Sequence, residues 1–97
     1  MIVKDYSGAI EDCVIVITLD PKQATAYNNR GVAEVGLGNA KEGLKDLLKA
    51  RELGHESGEN HYYTGKAKYM LGDKKAAAEE FAKACAQDQT YKNKPYK

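Results

Sequence analysis

The stretch Gly31-Val32-Ala33-Glu34-Val35-Gly36-Leu37-Gly38-Asn39-Ala40-Lys41 returns 34 residues later as Gly65-Lys66-Ala67-Lys68-Tyr69-Met70-Leu71-Gly72-Asp73-Lys74-Lys75. Gly31, Ala33, Leu37, Gly38 and Lys41 recur as Gly65, Ala67, Leu71, Gly72 and Lys75, and the match runs on through Lys49 with Lys83 and Ala50 with Ala84. A further shift reaches back to the N-terminal part, where Asp5, Ala9, Glu11 and Asp20 stand two periods before Asp73, Ala77, Glu79 and Asp88. The chain reads as the second half of one unit followed by two whole units. A period of this length denotes stacked supersecondary elements, each burying its apolar face on the next.

The small residues that hold phase have a physical use. Gly31 and Gly65 lie inside helical patterns, where glycine costs about 1 kcal/mol relative to alanine, so close approach of a neighbouring backbone is the expected compensation. Ala50 and Ala84 fit the same role. Gly38-Asn39 and Gly72-Asp73 put a glycine where one helix stops and a capping residue where the next starts, so each marks a helix-turn-helix corner. Helices are expected near residues 6–19, 24–37, 40–53, 59–71 and 74–87. The β-branched run Val14-Ile15-Val16-Ile17-Thr18 suits a strand by propensity. Its periodicity favours a helix, with Ile10, Val14 and Ile17 on one stripe and Tyr6, Ala9, Cys13 and Val16 on another, as for a helix packed between two neighbours.

The spacing and its landmarks resemble the tetratricopeptide repeat, a pair of antiparallel helices with the signature W-x2-L-G-x2-Y, A-x3-F, then A and P. Here the first full unit reads Tyr27-x2-Arg30-Gly31-x2-Glu34, Gly43-x3-Leu47, Ala50, with His55 at the proline place. The second reads His61-x2-Thr64-Gly65-x2-Lys68, Ala77-x3-Phe81, Ala84, with Gln89 at that place. The half unit supplies Ala9-x3-Cys13, Val16 and Leu19-Asp20-Pro21. The resemblance covers residues 1–91 as a half repeat (1–23) and two repeats (24–57 and 58–91), followed by a polar tail at 92–97. It implies an all-α fold of helix pairs stacked as a short right-handed α-solenoid.

Ninety-seven residues allow one domain with a modest core. With 15 basic and 14 acidic side chains the charge is balanced, which gives no reason to expect nucleic acid or an anionic membrane as partner. No apolar stretch is long enough to span a bilayer, and no basic segment leads into an apolar run with a cleavage site, so a soluble, cytoplasmic context is expected. Cys13 and Cys85 lie far apart on different helices and read as packing residues, not as a disulfide or metal pair.

Catalytic chemistry finds no foothold in the sequence. His55 and His61 are six residues apart across a presumed turn, unlike zinc ligands spaced by one helical turn, and each occupies a structural landmark of the repeat. Gly36-Leu37-Gly38 lacks the lysine and hydroxyl of a phosphate loop. Ser7 and Ser57 have no base arranged beside them and suit turns and caps. No catalytic residue, cofactor or metal is expected.

In tetratricopeptide repeats the first helix of each pair lines a concave face that takes up peptides. Carried onto this chain, the resemblance places Thr25, Asn28, Asn29, Val32 and Val35 there, followed by Glu59, Tyr62, Tyr63, Lys66, Tyr69 and Met70. Members that clamp a C-terminal carboxylate use lysine, asparagine and arginine at fixed places. Asn29 matches the central asparagine, but Glu59 and Tyr63 stand where the last cations belong, so that clamp is not expected. The binding residues expected are Asn28, Asn29, Val32, Tyr62, Lys66 and Tyr69, since tyrosine offers a large rigid contact area with a polar tip. The function expected is a non-enzymatic interaction module, a scaffold or adaptor that binds a protein or peptide segment. The alternative is a self-assembling structural unit that pairs with other copies through its open helical ends. Met1, Ile2 and Val3 read as the last turn of a helix whose earlier part is absent, which leaves the 6–19 helix seeking cover from a homodimer partner, a swapped helix or a longer array.

Overall fold

The computed structural model describes residues 6–87, and every regular element among them is a helix. In chain order these are α1 (Tyr6–Leu19), α2 (Ala24–Gly36), α3 (Ala40–Glu52), α4 (Gly58–Met70) and α5 (Lys74–Gln87). Each helix packs on its chain neighbour, and α2 also reaches α4. The result is a helical-repeat solenoid. The expected helix end at Met1–Val3 and the tail at 92–97 lie outside the described residues.

The corners form as the glycines require. Gly38, Gly54 and Gly72 have φ of 91°, 101° and 93°, a left-handed conformation that L side chains rarely adopt. After each, the next helix is capped differently. Ser57 Oγ accepts from the Asn60 N–H at 3.1 Å and Asp73 Oδ1 from Ala76 N–H at 3.2 Å, whereas the Asn39 side chain makes no cap bond and only its carbonyl accepts, from Gly43 N–H.

Within each pair, crossing depends on an absent side chain. A Cβ added at Gly31 would lie 2.7 Å from Leu47 Cγ and 3.0 Å from the Gly43 carbonyl oxygen, and one at Gly65 would lie 3.1 Å from both the Ala77 carbonyl and the Phe81 ring. Ala50 and Ala84 are fully buried, as close packing of the helix pairs demands. Two apolar clusters result: Val35, Ala40, Leu47 and Ala67 between α2, α3 and α4, and Tyr62, Ala77, Phe81 and Ala84 between α4 and α5.

Among the described residues, helix α1 has the fewest buried residues of the five. Its β-branched run is helical, but among the described helices it packs mainly on α2, and Cys13 is its one buried residue. Val14, Ile15 and Leu19 are exposed, Leu19 at 81%. The second neighbour anticipated from its two apolar stripes is not found among the described residues.

Candidate interaction surface

Helices α2 and α4 run side by side and are joined by amides. Asn28 Nδ2 donates to Glu59 Oε1 at 3.0 Å, while Asn60 Nδ2 donates to Asn28 Oδ1 at 3.1 Å and to the Leu47 carbonyl at 2.9 Å. Asn28 is buried, at 1% exposure, and ties the two helices together. Tyr62, one period later in the same register, is also turned inward. Its ring meets Tyr63 edge-on at 5.1 Å between centroids and lies 5.7 Å from Phe81. Both side chains are buried where the sequence placed them on the open face, and the cause is angular. A helix turns about 100° per residue, so Asn28 and Tyr62 face the interior while their successors Asn29 and Tyr63 are more open.

The other four expected residues remain accessible. Asn29 is exposed, while Val32, Lys66 and Tyr69 are half-buried. Val32 and Tyr63 lean on the first apolar cluster, and Tyr69 leans on the second. The Lys66 ammonium lies 5.8 Å from the centre of the Tyr63 ring and the Lys74 ammonium 5.7 Å from that of Tyr69, both within cation–π range. The Tyr6 ring packs against Gly36 at the end of the same strip. Burial pushes the Tyr63 phenol up, helped by its proximity to Tyr6 and Glu59.

Behind this strip lies a polar network that residue-by-residue reading of the sequence did not anticipate. Arg51 of α3 donates to Asn60 Oδ1 through Nε (3.1 Å) and Nη2 (2.9 Å), and to Glu80 Oε1 through Nη2 (3.1 Å). His61 is buried between two carboxylates, Nδ1 at 2.7 Å from Glu80 Oε1 and Nε2 at 2.8 Å from Glu56 Oε2. Lys68 Nζ adds a bond to Glu80 Oε2 at 3.2 Å, and Thr64 Oγ1 returns its proton to the Asn60 carbonyl at 2.7 Å. Burial on its own would raise the Glu80 carboxyl, but hydrogen bonds from His61, Arg51 and Lys68 and the Arg51 charge outweigh it and hold it at about 2. Among the described residues no buried side-chain nitrogen or oxygen lacks a hydrogen-bond partner, so the network is a satisfied structural core.

The equivalent site in the preceding unit is simpler. Arg30 grips Asp46 with a two-bond fork, Nε to Oδ2 at 2.8 Å and Nη2 to Oδ1 at 2.9 Å. A signal for these acids was present in the sequence: Asp12, Asp46 and Glu80 are spaced by the same 34-residue period.

Paired helices, glycine corners and a constant register define a tetratricopeptide-like repeat domain, an architecture that in general is a protein-interaction scaffold and not a catalyst. Known proteins agree with that class. No protein-family model matches the chain. It is similar to the human (Homo sapiens) DnaJ homolog subfamily C member 7, with 32% identity over 85 residues, and to the Dictyostelium discoideum DnaJ homolog subfamily C member 7 homolog, with 31% over 77. These alignments cover 88% and 79% of this chain but only 17% and 14% of those relatives. In three dimensions it resembles a crystal structure of MamA, with a TM-score of 0.77 and 28% identity, covering 90% of this chain and 51% of that one. No helix among the described residues is long and apolar enough to cross a membrane.

Proposed function

We propose that the chain is a non-enzymatic interaction module that receives a peptide along Asn29, Val32, Tyr63, Lys66 and Tyr69. The observation that carries this reading is the half-burial of Val32, Tyr63 and Tyr69. Each is anchored on a core cluster while keeping one side open, so little side-chain entropy remains to be lost when a ligand docks. Lys66 adds a cation beside the aromatic ring, and Asn29 an amide for pairing with peptide backbone. A short segment of mixed apolar and acidic character suits this strip. Selection of a phage-displayed random peptide library on the intact chain tests the proposal. Enriched peptides should lose binding to an Asn29→Ala, Lys66→Ala, Tyr69→Ala triple variant whose circular dichroism is unchanged. Peptides that bind the variant as well as the parent would overturn it.

A second reading rests on the exposed Ile15 and Leu19 of α1: a structural unit that assembles with other copies. Sedimentation over a hundredfold concentration range separates the two, because only self-assembly makes mass rise with concentration.

A further inference from the structure

His61 lies in the first turn of α4, 1% exposed, with both ring nitrogens against carboxylate oxygens: Nδ1 at 2.7 Å from Glu80 Oε1 and Nε2 at 2.8 Å from Glu56 Oε2. An ionised carboxylate can only accept, and a neutral imidazole has one N–H and one bare nitrogen. Whichever nitrogen were bare would point its lone pair at an acceptor oxygen within hydrogen-bond distance. Only the imidazolium, with an N–H on each side, satisfies both contacts at once. Arg51 Nη2 also stands 3.1 Å from Nδ1, but it has acceptors of its own in Asn60 Oδ1 at 2.9 Å and Glu80 Oε1 at 3.1 Å. The shorter contact decides for donation from Nδ1 to Glu80.

The two carboxylates are held very differently. The Glu80 side chain on α5 is 5% exposed, is bonded as well by Arg51 of α3 and Lys68 of α4, and keeps its charge down to about pH 2, so it stays on Nδ1. Glu56 comes from the turn between α3 and α4, its side chain is 53% exposed, and among the described residues its bond is to His61. Loss of the Nε2 proton therefore has one outlet, the departure of Glu56 into water. We propose that His61 is a proton-operated latch on the turn between α3 and α4: the doubly protonated ring docks Glu56, and when the Nε2 proton leaves to solvent the Glu56 side chain is released while Nδ1–H stays on Glu80. The docked form holds one proton more than the released form, so acid favours docking and rising pH favours release. Arg51, Lys68 and Glu80 remain joined in both forms, which confines the change to the turn and leaves the packing of α4 on α5 in place.

Long-range proton–nitrogen correlation NMR of the intact chain reads which ring nitrogens carry protons, and His55→Gln leaves His61 as the one histidine to assign. Over a titration from about pH 5 to about pH 9, which spans the ordinary range of imidazole, the ring should pass from both nitrogens protonated to the Nδ1–H tautomer with Nε2 bare. The carboxyl carbon shift of Glu56 should move with the same midpoint. In Glu56→Gln, an exposed substitution expected to keep the parent circular dichroism, the ring should give up its Nε2 proton at a lower pH than in the parent, because the docked negative charge is gone. A neutral ring carrying its proton on Nε2 would overturn the proposal, since Arg51 would then be donating to Nδ1 and Glu56 would have no reason to leave. So would a ring that keeps both protons at every pH, or a titration that Glu56→Gln leaves where it was.

Discussion

Asp46 on α3 and Glu80 on α5 hold the same place in successive units and are both buried, yet they are neutralised from different directions. Asp46 takes its cation from α2, its own hairpin partner, so the bond closes a single helix pair. Glu80 takes Arg51 from α3 of the preceding unit, with Lys68 and His61 from α4, so the bonds tie three helices together. One backbone plan therefore supports two kinds of connection. The first makes a unit cohere; the second makes neighbouring units depend on each other.

The largest effect should come from Glu80→Ala. It leaves the Arg51 guanidinium beside a buried His61 with no carboxylate between them, and removing one partner of a buried ion pair costs about 3–5 kcal/mol. Asp46→Ala should cost less, about 1–3 kcal/mol, because it strands a single partly exposed guanidinium, whereas Glu80→Ala also strips a carboxylate from His61, which is 1% exposed. Urea denaturation of both variants measures the difference. Equal losses would sink the distinction between the two acids.

Tyr62→Ala should cost about 3 kcal/mol by removing the ring packed on Phe81, as for other buried aromatic truncations. Next come the alanines at the helix crossings. Ala50→Leu and Ala84→Leu overpack fully buried sites, and about 1–3 kcal/mol should be lost at each. A variant that melts at the parent temperature would show that the register assigned to that unit is wrong. Tyr69→Ala, at a half-buried position, should change stability by less than about 1 kcal/mol while weakening any peptide that uses the exposed strip.

Acid sharpens the comparison further. Glu80 is held at about 2 in the fold, against an ordinary value of 4.5, so its ionised form is favoured by folding. Its contribution is complete above about pH 4.5 and is lost progressively as the pH falls towards 2. In urea midpoints measured down that range, Glu80→Gln should show a shallower fall than the parent chain. A parallel fall would mean that the network does not select the charged carboxylate.

The helices and corners were legible because their signals are local and repeated: Gly38 and Gly72 mark stops, and Gly31 and Gly65 mark close crossings. The α1 run was legible only through periodicity overriding β-propensity. The facing of individual side chains was less so. Asn28 and Tyr62 were assigned to the open face, but one step of helical rotation decides between interior and groove, and family register alone is not that fine. His61 was read as occupying a structural landmark, and it is buried in α4. Its partners were not read, since Glu80 lies 19 residues away and Arg51 meets Glu80 across 29, distances that only a folded chain brings together. The acids themselves could have been found by comparing units at the 34-residue period.

The one-sided packing of α1 among the described residues also bears on how the molecule opens. A helix touching mainly one neighbour can detach without disturbing the rest, whereas α4 cannot leave without breaking Arg51–Asn60, Asn28–Asn60 and His61–Glu80 together. Amide protons of α1 should therefore exchange with solvent first and on their own, ahead of a joint event in α3, α4 and α5. Native-state hydrogen exchange would show this as two separate opening free energies, and a single shared value would mean that α1 is bound to the rest more firmly than its contacts indicate.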